Sequence, residues 1–282
     1  MQVIYTKDLL NSVLEPYRSK NLSIGLVPTM GALHEGHKSL VKKAVAANKI
    51  TVVSIFVNPT QFNNPDDLEK YPRNLEQDVK KLEELNANIV IFTPAVKEIY
   101  TDEVVSQSFE FDGLEHKMEG KHRKGHFDGV GTIVKQLFEI VKPHFAYFGE
   151  KDYQQLLIIK KMVAKLQMPL TVVGCPILRE SHGLAMSSRN ELLAPEVRTR
   201  AAIIYRSLLK AKELFANHSP QEVLDWVTKQ FEDSEIFKLE YVEIAHAETL
   251  DVITQKVANE KYRIFTAVYA GEVRLIDNLA LN

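Results

Sequence analysis

A single cysteine, Cys175, stands in this chain, so no disulfide can form within it and no cysteine-based zinc site is available. An excess of one charge is missing too. Lys and Arg number 35 against 37 Asp and Glu, a formal net charge of -2, which gives no footing for nucleic acid or an anionic membrane as an obligate partner. No apolar run approaches the length that spans a bilayer. The start, MQVIYTKDLLNSVLEPYRSK, carries charge from Lys7 onward and has no apolar leader core. No fixed-period repeat and no low-complexity segment is present. These absences lead to the expectation of a soluble, cytoplasmic protein. The 282 residues, 45% of them hydrophobic, are enough to bury a substantial core in one large domain or two modest ones.

Between Leu22 and Thr171 apolar strand-like runs (LSIGLVP, ITVVSIFV, NIVIFTP, FAYFG, LTVVGCP) alternate with helix-period segments such as HKSLVKKAVAAN, NLEQDVKKLEELN and DYQQLLIIKKMVAKLQ. Runs so uniformly apolar suit strands covered on both faces, and the alternation argues a doubly wound parallel sheet. After Cys175 the texture changes. APEVRTRAAIIYRSLLKAKELFAN and SPQEVLDWVTKQFED read as amphipathic helices opened by proline, and FKLEYVEIAHAETL, YRIFTAVYAGEV and RLIDNLAL alternate like antiparallel strands with one wet face. The expected fold is a Rossmann-like α/β domain over residues 1–175 and a smaller α+β domain over 176–282 that closes over the site. Open sheets of the first kind bind ligands beyond the carboxyl ends of their strands.

The first such loop is LVPTMGALHEGHKSL. His34 and His37 fall at i and i+3 where a helix begins, beside unpaired backbone N–H groups that attract phosphate. Two imidazoles on one face of that turn can donate to phosphoryl oxygens whose charge builds in a transition state. They can equally be surface residues or a cap, and at this point both readings stand. A metal reading of H-x-x-H lacks the H-E-x-x-H spacing and an evident third ligand. In FVNPTQFNNPDDLEKYPRN, Gln61 can orient a hydroxyl or a carboxylate, or be an ordinary loop amide. Asp66, Asp67 and Asp78 read most simply as solvated charges, though any of them can help hold Mg2+.

In FGEKDYQQLL the helix dipole favours Asp152 in the first turn and disfavours Lys151, so Lys151 needs a reason such as phosphate. Gln154 and Gln155 fall on adjacent helix faces, so at most one points into a cleft. GHFDGVGT puts three glycines before a helix but is not G-x-G-x-x-G and follows no clear strand, which argues against a dinucleotide-dependent oxidoreductase. In LRESHGLAMSSRN, Ser187, Ser188 and Arg189 form either a phosphate clamp or a capped turn.

Taken together and in order, PTMGALHEGH, FVNPTQF, YPR, GHFDGV, FGEKDYQQL and GLAMSSRN resemble the pantothenate synthetase (pantoate-β-alanine ligase) family. The resemblance implies a nucleotidyltransferase-like fold akin to class I aminoacyl-tRNA synthetases, with HEGH and MSSRN as counterparts of their HIGH and KMSKS signatures. It implies two steps: ATP and pantoate give pantoyl adenylate and pyrophosphate, then β-alanine displaces AMP to form pantothenate. Met30, His34 and His37 would meet ATP, with His34 and His37 catalytic and His37 the proton donor. Gly149, Lys151, Asp152, Leu178, Met186, Ser187, Ser188 and Arg189 would complete the ATP site, Gln61 and Gln155 would hold the acid substrates, and Asp78 would contact Mg2+. The choice of Gln155 over Gln154 comes from the resemblance, as does a homodimer. Lys124, where proline is usual, and His182, where Asp is usual, depart from the family pattern.

Overall fold

A computed structural model describes residues 1–62, 68–69, 71–85, 87–100 and 103–282. Two compact units divide the chain, one of Met1–Glu150 with Gln154–Pro176 and one of Lys151–Tyr153 with Ile177–Asn282.

The first unit is built on six strands: β1 (Gln2–Ile4), β2 (Ile24–Thr29), β3 (Ile50–Ile55), β4 (Ile89–Phe92), β5 (Phe145–Gly149) and β6 (Thr171–Cys175). They lie in the order β1-β4-β3-β2-β5-β6, and every pairing is parallel. All residues of β3 and β4 are buried, as the uniformly apolar runs require. Helices α1 (Lys7–Arg18), α2 (Glu35–Ala47), α3 (Leu75–Glu83), α4 (Val96–Ile99), α5 (Met118–His122), α6 (His126–Val141) and α7 (Tyr153–Lys165) flank the sheet in a Rossmann-like arrangement. From β2 the chain winds first toward β3 and β4, then returns to β5 on the other side. The carboxyl ends of β2 and β5 therefore mark the point where strand order reverses, the usual ligand crevice of such sheets.

The second unit carries an antiparallel sheet of β7 (Phe237–His246), β8 (Tyr262–Ala270) and β9 (Val273–Ala280), with β8 in the centre. Helices α9 (Ala202–Phe215) and α10 (Pro220–Glu232) supply Leu208, Phe215, Val223 and Phe231 to a core shared with Ile244, Ile264 and Val268, and the short α8 (Pro195–Arg200) packs the half-buried Val197 against it. Ser219 and Glu222 cap α10 reciprocally, and Pro220 fixes its first position.

Three features differ from the sequence reading. β1, only three residues long, pairs with β4 at the sheet edge, too short to show an apolar run. The segment expected as one helix from Ala194 onward breaks at Ala201 into α8 and α9. Finally, Gly129 and Gly131 lie inside α6, not before it. A β-carbon at Gly129 would stand 2.4 Å from the Thr60 carbonyl oxygen, so glycine lets α6 press directly on the 59–61 turn. Gly129→Ala should lower the unfolding free energy by about 1 to 3 kcal/mol through overpacking, read by urea denaturation; an unchanged midpoint would show that the turn yields.

Candidate active site

Beyond β2 the chain has no strand partner, yet side chains take up the backbone donors of Gly31, Ala32, Leu33, His34 and Gly36. Gly31 (φ +80°) and Ala32 (φ +49°) turn the chain left-handed, and a β-carbon at Gly31 would crowd Asp78 Oδ2 at 3.0 Å and Ile55 at 3.1 Å. Gly31 N donates to Thr29 Oγ1 (3.2 Å), Ala32 N to Asp78 Oδ2 (2.9 Å) and Leu33 N to Asp78 Oδ1 (2.7 Å). Lys81, one turn further along α3, donates to the Leu33 carbonyl (2.5 Å). Glu84 then holds Lys38, which also pairs with Glu35. One face of α3 thus braces the entry to α2.

His34 is the N-cap of α2, and the two imidazoles cap it reciprocally. Gly36 N donates to His34 Nδ1 (3.1 Å), His34 N donates to His37 Nδ1 (3.3 Å), and the rings lie 4.0 Å apart. A neutral imidazole that accepts at Nδ1 carries its proton on Nε2. The cap and the phosphoryl-donor readings are therefore compatible, since capping selects the tautomer whose Nε2–H donates. It also means that the helix's backbone donors do depend on the imidazoles.

Gln61 lies against this loop. Its Nε2 donates to Met30 Sδ (2.9 Å) and its Oε1 accepts from Asn58 Nδ2 (3.3 Å). Asn58 is buried, with Tyr100 Oη (2.6 Å) and the Gly129 carbonyl (3.1 Å) as further partners. His126 Nδ1 (2.9 Å) and Arg123 Nη2 (3.3 Å) both reach the Gln61 carbonyl. The GHFDGV segment thus fixes the FVNPTQF turn, and Met30 and Gln61 come together. Asn58, Tyr100, Arg123 and His126 were not singled out from the sequence. Asn58 and His126 did lie within its quoted motifs.

After Gly149, at the end of β5, the two glutamines separate. Gln154 is buried, accepts from Glu119 N (3.0 Å) and donates to the Leu114 and Lys117 carbonyls (2.7 Å each). Its amide is spent on the backbone near α5, while Gln155 is half-exposed on the next face. Cys175 is buried, which pushes its thiol up from the ordinary value.

In the second unit, Leu178 to Met186 form a hairpin, closed by Met186 N to Leu178 O (3.0 Å). Ser187 Oγ caps the turn over Ser188–Leu192 by accepting from Arg189 N (3.3 Å). Asn190 and Arg198 both donate to Glu180. Burial opposes ionisation of Glu180, but those donors outweigh it and hold its carboxyl below the usual range. His182 pairs with Glu180 (3.1 Å), so this departure is built into the hairpin; Lys124 is exposed. Lys151 Nζ lies 3.7 Å from Asp152.

Comparison with known proteins gives the family. Residues 2–280 match the pantoate-beta-alanine ligase family. The chain belongs to that family. As a member it is an enzyme, a ligase of pantoate and β-alanine that forms pantothenate. It is 55% identical to the pantothenate synthetase of Flavobacterium psychrophilum over 280 residues, 99% of each chain. To that of Christiangramia forsetii it is 53% identical over 282 residues, the full length of both. Among solved structures, pantothenate synthetase from Thermus thermophilus shares 41% identity with TM-score 0.91, covering 100% of this chain and 99% of that one. Pantoate-beta-alanine ligase from Francisella tularensis, complexed with beta-gamma ATP and beta-alanine, shares 39% identity with TM-score 0.81, covering 100% and 98%. No helix among the described residues is long and apolar enough to cross a membrane.

The Mg2+ expected in this ligase does not fit Asp78. Far from being a solvated charge, Asp78 is 2% exposed. Burial pushes its carboxyl up, against the pull of the Leu33 and Ala32 N–H groups, and both of its oxygens already accept from backbone. No group of three or more His, Cys, Asp or Glu side chains that could hold a metal occurs among the described residues. Asp66 and Asp67 lie outside the described residues.

Asp78→Asn faces one of two buried donors with an NH2 group, so it should cost about 1 to 3 kcal/mol of stability, read by chemical denaturation. The Mg2+ dependence of turnover should be unchanged. Weaker Mg2+ dependence with intact stability would make Asp78 a metal ligand after all.

Proposed function

We propose that this ligase works through a pantoyl adenylate. The observation that carries the reading is the paired imidazole cap of α2, set beyond β2 where strand order reverses. ATP and β-alanine as substrates are supported by the Francisella tularensis relative complexed with beta-gamma ATP and beta-alanine. A carboxylate acylates poorly until its oxygen becomes part of a phosphoryl leaving group. In the first step a pantoate carboxylate oxygen attacks the α-phosphorus of ATP, the bond to the bridging oxygen breaks, and pyrophosphate departs with the electron pair. In the second step the β-alanine nitrogen attacks the acyl carbon, AMP leaves with the acyl–oxygen pair, and the amine loses a proton.

The residues divide the work. The Nε2–H groups of His34 and His37, with the α2 dipole behind them, donate to phosphoryl oxygens, and His37 is the proton donor. Lys151 and Arg189 add charge, Ser187 and Ser188 add hydroxyl donors, and Gly149 admits the nucleotide close to backbone. Met30, Asp152, Leu178 and Met186 complete the nucleotide contacts. Gln61, held by Met30 and Asn58, and Gln155 orient pantoate and β-alanine. Mg2+ arrives as part of the ATP substrate. A cytoplasmic homodimer belongs to the same reading.

Exchange of labelled pyrophosphate into ATP should require pantoate but not β-alanine; exchange that starts only when β-alanine is added rejects the adenylate. His37→Ala should lower the exchange rate roughly 10² to 10³-fold, as loss of an oxyanion donor does. It should also cost about 0.5 to 2 kcal/mol of stability as a lost cap, so the rate is measured well below the variant's melting temperature. His37→Gln retains a donor without a transferable proton, and its full recovery would remove the proton-donor role.

A further inference from the structure

The last strand carries two adjacent buried polar residues, Asp277 and Asn278, at 3% and 2% exposure. Neighbours along a strand face opposite sides of the sheet, and these two reach different segments. Asp277 takes a two-pronged ion pair from Arg179, Nη1 to Oδ2 at 2.6 Å and Nη2 to Oδ1 at 2.9 Å. The same Arg179 Nη1 donates to the Gly183 carbonyl (3.1 Å), and its guanidinium lies 3.6 Å from the centre of the Tyr205 ring. Gly183 (φ +104°) sits so close to Tyr205 that a β-carbon would stand 2.8 Å from the ring. The hairpin leading into Met186–Arg189 is thereby locked to one residue of β9.

On the opposite face Asn278 Nδ2 donates to the Lys151 carbonyl (2.9 Å), while its Oδ1 accepts from Arg263 (2.5 Å). Arg263 in turn stacks 3.9 Å from the centre of the Tyr153 ring, which also meets Phe265. The Lys151–Tyr153 turn is thus pinned to the outer face of this sheet. These three residues therefore pack as part of the second unit.

We propose that Asp277 and Asn278 are positioning residues for the nucleotide site. Asn278 sets Lys151 through its backbone carbonyl, Asp277 sets the Leu178–Met186 hairpin through Arg179, and one peptide of β9 keeps the two phosphate-binding segments in register. The inference rests on the reading of Lys151 and Arg189 as phosphate-binding groups.

Asn278→Asp is nearly isosteric and still accepts from Arg263, but it turns a carboxylate oxygen on the Lys151 carbonyl. Expected are a folded protein with unchanged KM for pantoate and a kcat for pyrophosphate exchange lower by about 10 to 10²-fold, the scale of a small misplacement. In a Lys151→Ala background the same substitution should leave the residual rate unchanged, because the two changes act through one contact. Asn278→Ser serves as a second variant with the same expectation. Wild-type kcat in either folded variant overturns the inference, as does a loss that persists in full in the Lys151→Ala background or only tracks unfolding in both variants. Wild-type exchange in Lys151→Ala overturns the phosphate reading itself. A damaged Lys151→Ala beside an intact Asn278→Asp overturns this inference alone.

Discussion

The backbone beyond β2, from Gly31 to Gly36, must satisfy its donors without a strand or a completed helix turn, and the first unit is arranged around that constraint. An unpaired buried N–H costs as much as a lost hydrogen bond. Thr29, Asp78, His37 and His34 each take part of the load. Asp78 can do so only if α3 lies alongside the loop, and Lys81 and Glu84 hold α3 there through Leu33 and Lys38. A loop with two consecutive left-handed residues would otherwise have many conformations to choose from. Here the side chains around it leave one, and Met30 and the two imidazoles inherit a fixed direction from it.

The parallel sheet was legible because strands buried on both faces are written as unbroken apolar runs, as β3 and β4 are; β6, at the sheet edge with only Cys175 buried, was legible from its short apolar run alone. β1 was not, having three residues in which one half-buried and one exposed position dilute the pattern. The break at Ala201 carries no proline or glycine to announce it. Within the site, HEGH and FVNPTQF were visible as polar loops following buried strands. What could not be read was which of their side chains face inward. Asp78 sits among Glu, Gln and Lys in α3 and looks solvated until the loop that carries Ala32 and Leu33 is laid against it. The glutamine pair was legible as a choice; Gln154, by spending its amide on Leu114, Lys117 and Glu119, accounts for why the other is the one to consider.

The second unit shows the same limit at longer range. RLIDNLAL reads as a strand with one wet face, yet both Asp277 and Asn278 are buried because the two sides of β9 are covered by different polar partners, Arg179 on one and Lys151 on the other. Alternation records burial by apolar neighbours and is silent about burial by an ion pair or a carbonyl.

Histidine at the head of α2 is an unusual cap, since Ser, Thr, Asn and Asp satisfy first-turn donors at least as well. Those side chains keep their acceptor within one small group. A serine oxygen must accept and donate from the same atom, an aspartate has no donor when ionised, and lysine or arginine cannot accept at all. The imidazole separates the two functions across a rigid ring, with Nδ1 turned to the backbone and Nε2–H on the far side. Each imidazole in the pair is therefore oriented by the helix it caps, and the hydrogen bond that completes the fold also selects the tautomer. The rings lie 4.0 Å apart and tilted by 35°, each fixed through its Nδ1, so a phosphoryl oxygen approaching the α2 N-terminus would meet imidazoles whose orientation the cap has already set, with little to reorganise as charge develops.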